Sequence, residues 1–131
     1  MMRVNLLHEE LSYKVRGILY EVHNELGSYR NEKQYCDKIE FGLKEKGLKY
    51  EREKILLPSF DGEQKGRNRI DFIVEDKIII EVKVVPSFSP NDFKQCKRYL
   101  VSSNKELCLL VNFGLKSCVI KRILNPDLLN Q

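Results

Sequence analysis

The stretch from Arg69 to Lys83 limits this chain more than any other, because it sets charges inside two otherwise apolar β-rich runs, Ile70 to Val74 and Ile78 to Val85. The polar Glu75-Asp76-Lys77 between them reads as the loop of a tight antiparallel hairpin. With that loop, Val74 faces Ile78, and counting outward puts Asp71 opposite Glu81. This register gathers Ile70, Phe72 and Val74 with Ile78, Ile80, Val82 and Val84 on one face, and leaves Asp71, Glu81 and Lys83 on the other. A slip by one residue would mix the faces and bury charge.

Two carboxylates facing each other across a strand pair, with Cβ atoms ~5 Å apart, repel unless a cation lies between them. Taken singly, the three charges would be solvated residues on an open sheet face. The apolar density around them, and the helix expected to cover that face, would instead trap them. A divalent metal removes the conflict, and oxygen ligands without histidine favour Mg²⁺ or Mn²⁺ over zinc. Lys83 lies two residues beyond Glu81 on the same face, where it can reach a metal-bound water or a phosphate.

The remaining chain supplies one α/β domain. Its 131 residues, 42% of them hydrophobic, suffice for one core and are too few for two ordinary domains. Leu11, Val15, Ile18, Leu19, Val22 and Leu26 recur at helical spacing, so a first helix is expected from about Glu9 to Leu26, stopped by Gly27. Tyr35, Ile39 and Leu43 predict a second helix from near Asn31 to near Lys46, with Gly47 as its stop and Glu32 on the same face. From Leu48 the composition turns toward strand, with Ile55, Leu56 and Leu57 ahead of Pro58, and the strand's limits stay open. Ser89 can cap a helix that starts at Pro90, has Asp92 in its first turn, and carries Phe93, Gln95, Tyr99 and Leu100. Leu107 to Phe113 reads as a strand covered on both faces and Val119 to Leu124 as a final strand. The expected order is ααβββαββ, a central mixed sheet flanked by helices.

Charge is less informative. A formal net charge of +4 suits a polyanionic partner without requiring one. The local cations Lys65, Arg67 and Arg69, just before Asp71, could neutralise phosphates or could be a solvated loop. The first residues show no basic segment leading into an apolar stretch and a cleavage site, and no apolar run approaches the ~20 residues of a membrane span. A soluble, cytoplasmic protein is therefore expected. His8 and His23 fall on the first helix without a local ligand pattern and read as structural. The four cysteines, at 36, 96, 108 and 118, form no C-x-x-C pair and read as free buried thiols.

The spacing Asp71-x9-Glu81-x-Lys83 resembles the D…E-x-K signature of the PD-(D/E)XK nuclease superfamily. Four further segments are similar to its small GxxExxY family: Val22-His-Asn-Glu-Leu-Gly27, Glu32-x-x-Tyr35, Gln95-x-x-x-Tyr99-Leu100 and Leu109-Leu-Val-Asn-Phe-Gly114. The glycine three residues before the family's glutamate is Tyr29 here, while Gly27 matches an earlier glycine of that loop. The resemblance implies the restriction-endonuclease-like fold and hydrolysis of phosphodiester bonds, in DNA rather than RNA, with Mg²⁺ or Mn²⁺. It implies that Asp71, Glu81 and the backbone carbonyl of Val82 hold the metal, that Glu32 adds a carboxylate, and that Lys83 orients or activates water. Glu32 otherwise has only a first-turn role worth ~0.3 to 1 kcal/mol; its place at the head of the stripe favours the functional one. Gln95 and Tyr99 resemble the Q-x-x-x-Y motif of recombination-associated nucleases and would hold the phosphate or water. Some relatives bind an iron–sulfur cluster through one early and three late cysteines, but the late three here lack the close spacing a cluster needs. Many nucleases of the superfamily act as dimers, so a homodimer is a further expectation, though no segment identifies an interface. Two rival classes stay open: a nuclease-fold module that binds nucleic acid or a protein partner without cutting, and a scaffold with no nucleic-acid role.

Overall fold

The computed structural model describes residues 8–130. The extreme N-terminal residues that carry the expectation of no leader lie outside them. The elements are α1 (Glu9–Leu26), α2 (Glu32–Glu45), β1 (Tyr50–Ile55), β2 (Arg69–Val74), β3 (Ile78–Lys83), α3 (Pro90–Ser103), β4 (Leu107–Asn112) and β5 (Val119–Leu124), followed by a 3-10 turn at Pro126–Asn130. The expected order is thus present, except that the terminal turn has no counterpart in the sequence reading.

The helix ends follow local chemistry. Gly27 closes α1 at φ 74°, its N–H donating to the His23 carbonyl. Asn31 and Gln34 form a reciprocal capping box on α2, with Gln34 N donating to Asn31 Oδ1 at 2.9 Å and Asn31 N to Gln34 Oε1 at 3.0 Å. Ser89 and Asp92 repeat the device on α3, where Pro90 occupies the first position.

The sheet runs β1-β2-β3-β4-β5 in chain order. Among the described residues only the β3–β4 pair is parallel, and α3 is the crossover such a pair requires. Helices α1 and α2 cover one face, packing Val15, Ile18, Leu19, Tyr35, Ile39 and Leu43 onto Phe72, Val74, Ile80 and Val82. The two helices approach so closely that a Cβ on Gly42 would lie 2.7 Å from Ile18 Cγ2. On the opposite face α3 sets Cys96, Tyr99 and Leu100 against Ile73, Ile79, Cys108 and Leu110. Every residue of β4 is buried, as a strand covered on both sides should be.

Three local expectations need correction. Ile70 does not share the face of Phe72 and Val74; it belongs with Ile73 and Ile79 beneath α3, because strict alternation fails where the strand ladder opens at Asp71. Strand β1 lies earlier than Ile55-Leu56-Leu57 suggested, and Leu57 is exposed. Finally, Glu32 does not head the buried stripe of α2: it is exposed, and the stripe starts at Tyr35.

Both histidines serve packing. His8 stands just before α1 with Nε2 3.1 Å from Glu106 Oε1, and His23 Nε2 lies 2.8 Å from the Leu115 carbonyl. All four cysteines are free. Cys36 and Cys118 lie on the α1–α2 side and Cys96 and Cys108 beneath α3, so the sheet separates them and no cluster can use all four. Burial pushes the Cys36 thiol up to about 12 and the Cys118 thiol up to about 11, which leaves both inert.

Candidate active site

The hairpin pairs regularly from Val74↔Ile78 to Phe72↔Ile80, and then its backbone ladder stops. In the next row, Asp71 N donates to Glu81 Oε1 at 3.0 Å, and Val82 N donates to Asp71 Oδ2 at 2.8 Å. The two carboxylates therefore replace the backbone acceptors. The ladder to β1 opens at the same row: Arg52↔Phe72 and Lys54↔Ile70 pair, whereas Glu53, opposite Asp71, takes a left-handed φ of 54°. The result is a gap in the sheet floored by carboxylate oxygens.

Each carboxylate uses one oxygen in these bonds. Glu81 is only 4% exposed, and burial, followed by the Asp71 charge, holds it well above the usual carboxylate range. Asp71 is also raised, by burial first and then against the Val82 N–H, with the charge of Glu32 adding to the shift. Lys83 lowers both without cancelling the effect. Two raised, facing carboxylates are a pair that a bound cation would ionise together. Their hard oxygen donors fit a small divalent ion, which keeps several waters and takes only one or two protein carboxylates. Among the described residues no group of three or more His, Cys, Asp and Glu is placed to hold a metal, so the pair itself is the donor set to which water, substrate or backbone oxygen must add.

Lys83 projects to the N-terminus of α3, where its Nζ lies 3.7 Å from Asp92 Oδ1. The other oxygen of Asp92 accepts from Ser89 N at 2.8 Å, so the cap of α3 also fixes the lysine's counter-charge. Gln95 Nε2 donates to the Tyr99 hydroxyl at 3.1 Å. Tyr99 is buried, and its hydroxyl is raised by burial and by the charge of Glu81, which sets it beside the acidic pair. Lys83, Asn91, Asp92, Lys94, Gln95 and Arg98 line a cleft of about 500 Å³. The hairpin and α3 thus bring Lys83 and Gln95 to one cleft, with Tyr99 bonded to Gln95 and within the field of Glu81, which faces Asp71.

The sequence matches the family model of the PD-(D/E)XK nuclease superfamily over residues 9–123. The chain belongs to that superfamily. It is accordingly a nuclease, hydrolysing phosphodiester bonds of nucleic acid, and PD-(D/E)XK nucleases generally use divalent metal ions. Its fold is similar to that of an alkaline exonuclease (LHK-Exo) from Laribacter hongkongensis, with TM-score 0.51 and 16% identity over 99% of this chain and 75% of that one. The structure of LHK-Exo in complex with dAMP gives TM-score 0.51 and 13% identity over 92% of this chain and 85% of that one. Among curated proteins there is no significant match.

Within this PD-(D/E)XK domain the other expected residues are more dispersed. Glu32 acts on Asp71 through its charge from the exposed first turn of α2. Arg67, exposed and held by Gln64 Oε1 at 2.7 Å, lines a separate cleft; Lys65 and Arg69 are exposed as well. Sequence reasoning passed over Asp92 as a partner for Lys83, and over Lys94 and Arg98. The last two were within reach, since they stand one residue before Gln95 and Tyr99 on the same helix.

Proposed function

We propose that this chain is a Mg²⁺- or Mn²⁺-dependent nuclease acting on DNA, within the GxxExxY group of the superfamily. The observation that carries the reading is the opened ladder at Asp71 and Glu81, where a half-buried and a buried carboxylate face each other in raised states, with Lys83 on the same strand as Glu81. In this reading Asp71, Glu81 and the Val82 carbonyl would hold the ion, and Glu32, which the sequence offered as a further ligand, would add only its charge from the exposed first turn of α2. When bound, such an ion polarises the phosphate and lowers the pKa of water. Lys83 orients the attacking water, with Asp92 holding its ammonium at the edge of the cleft. Gln95 and Tyr99, bonded to each other, position the phosphate from α3. Lys65, Arg67 and Arg69 neutralise neighbouring phosphates.

DNA is preferred over RNA because the structurally similar LHK-Exo has been solved with dAMP. Cutting both strands of a duplex with one site per chain calls for two copies, so a homodimer is part of the proposal for such a substrate. A cytoplasmic location accords with four free thiols. Among the described residues no helix is long and apolar enough to cross a membrane.

The test is incubation of labelled single-stranded, double-stranded and branched DNA and RNA with Mg²⁺ or Mn²⁺. Cutting of DNA that stops when the ion is chelated is the expected result. Binding of nucleic acid unaffected by metal, with every substrate left intact, would overturn the proposal in favour of a module that recognises without cutting.

A further inference from the structure

The cleft beside Lys83 has a neighbour on the same side of α3. Arg98, which lines the first, also lines a second cleft of about 510 Å³ with Phe60, Gly62, Glu63, Gln64, Arg67 and Asn68. Arg98 is the residue these two clefts share, and its guanidinium rests over the Tyr99 ring at 5.5 Å. Lys83, Lys94, Arg98 and Arg67 are therefore the cations of two clefts that share Arg98, against the acids Asp92 and Glu63.

Phe60 gives the second cleft its character. Its ring is 63% exposed, on a loop where a large apolar side chain gains nothing from the core. The loop is nevertheless closed by its own bonds: Glu63 Oε1 accepts from Ser59 N at 2.7 Å, Ser59 Oγ at 3.1 Å and Asn68 Nδ2 at 3.2 Å, and Glu63 N donates to the Phe60 carbonyl at 3.2 Å. Glu63 lies within the field of Arg98, but its bonded oxygen is committed to the loop. A held, exposed ring in one cleft with two guanidiniums matches the chemistry by which single-stranded nucleic acid is bound, with phosphates on the cations and a base on the ring. In a duplex the base faces are stacked on one another and unavailable to Phe60.

We propose that these two clefts form a track for an unpaired strand, with phosphates following Lys83, Lys94, Arg98 and Arg67 and one base stacked on Phe60. The proposal rests on the nuclease reading for where the scissile phosphate lies, and specifies the strand that reaches it. Its test is binding without cutting: fluorescence anisotropy of a labelled oligothymidylate of about twelve nucleotides and of a duplex of equal length, without divalent metal, for wild type, Phe60→Ala and Arg98→Gln. Both replaced side chains are exposed, and melting curves confirm the fold. Phe60→Ala should weaken binding to the single strand about tenfold, the scale of one base–aromatic stack, and to the duplex less than about twofold. Arg98→Gln should lower the slope of log affinity against log salt by about 0.7, the value of one phosphate contact on a single strand. Equal binding of the single strand by wild type and Phe60→Ala, or equal losses on both ligands, would overturn the track. Because cutting is not read, the test is decided whether or not the protein cleaves: loss of the track with cutting intact leaves the nuclease standing, and a track without cutting leaves the binding site standing.

Discussion

Replacing Asn112 by alanine should destabilise the protein by about 3 kcal/mol. Asn112 ends β4, is 1% exposed, and makes three hydrogen bonds with its side chain. Its Oδ1 accepts from Val85 N at 3.1 Å and from Gly114 N at 2.9 Å, and its Nδ2 donates to the Val85 carbonyl at 2.8 Å. It thus substitutes for a backbone partner just after Lys83, whose own carbonyl accepts from Phe113 N at 2.9 Å. Three bonds at about 1 kcal/mol each give the figure, because alanine leaves the backbone groups without replacements. For a chain of this length that corresponds to a fall in Tm of roughly 10 °C. Urea unfolding is the assay, read as a lower midpoint with an unchanged m-value. A loss below about 1 kcal/mol at constant m would show that water satisfies these groups, and that Asn112 does not anchor the exit of the E-x-K strand.

Other consequences follow from the same packing and electrostatics. Glu81 and Asp71 have folded pKa values raised above those of the unfolded chain, so without metal their penalty is absent in acid and grows as pH rises from the ordinary carboxylate range through the raised folded values. Glu81→Gln should flatten that decline and raise Tm at neutral pH in chelator, while the gain in Tm from Mg²⁺ should belong to wild type alone; matching profiles in thermal melts would refute this. Gly42→Ala should destabilise by about 1 to 2 kcal/mol in chemical unfolding despite alanine's better helix propensity, because the new Cβ strikes the buried, stiff Ile18. Stabilisation by that substitution would mean that α1 and α2 can separate without cost.

The hairpin was legible because two independent signals agree on it. The loop fixes which residues face each other, and the apolar pattern rejects a shift. Helix α1 was legible down to its ends because its stripe stops at a glycine that must take a positive φ. Strand β1 was obscured by its composition: Tyr50 and Arg52 are the residues facing the helices, and Arg52 covers Phe72 while bonding Asp37 at 2.8 Å and Glu40 at 3.0 Å. An arginine acting as an apolar lid hides the period that a strand would otherwise show. The face of Ile70 was misjudged because alternation presumes an unbroken ladder, and the break is created by the carboxylates themselves. Phe60 and Arg98 lie far apart in sequence and share a cleft only through the closed loop before β2, which local pattern cannot reveal.

The most direct test of the central claim, that the Asp71–Glu81 pair holds the ion while Lys83 serves the chemistry, is to measure Mn²⁺ affinity and DNA cleavage on one preparation of Lys83→Ala. Mn²⁺ affinity within a few-fold of wild type, with cleavage reduced at least about a hundredfold, is the expected result. Cleavage at the wild-type rate, or loss of Mn²⁺ binding along with the lysine, would contradict it.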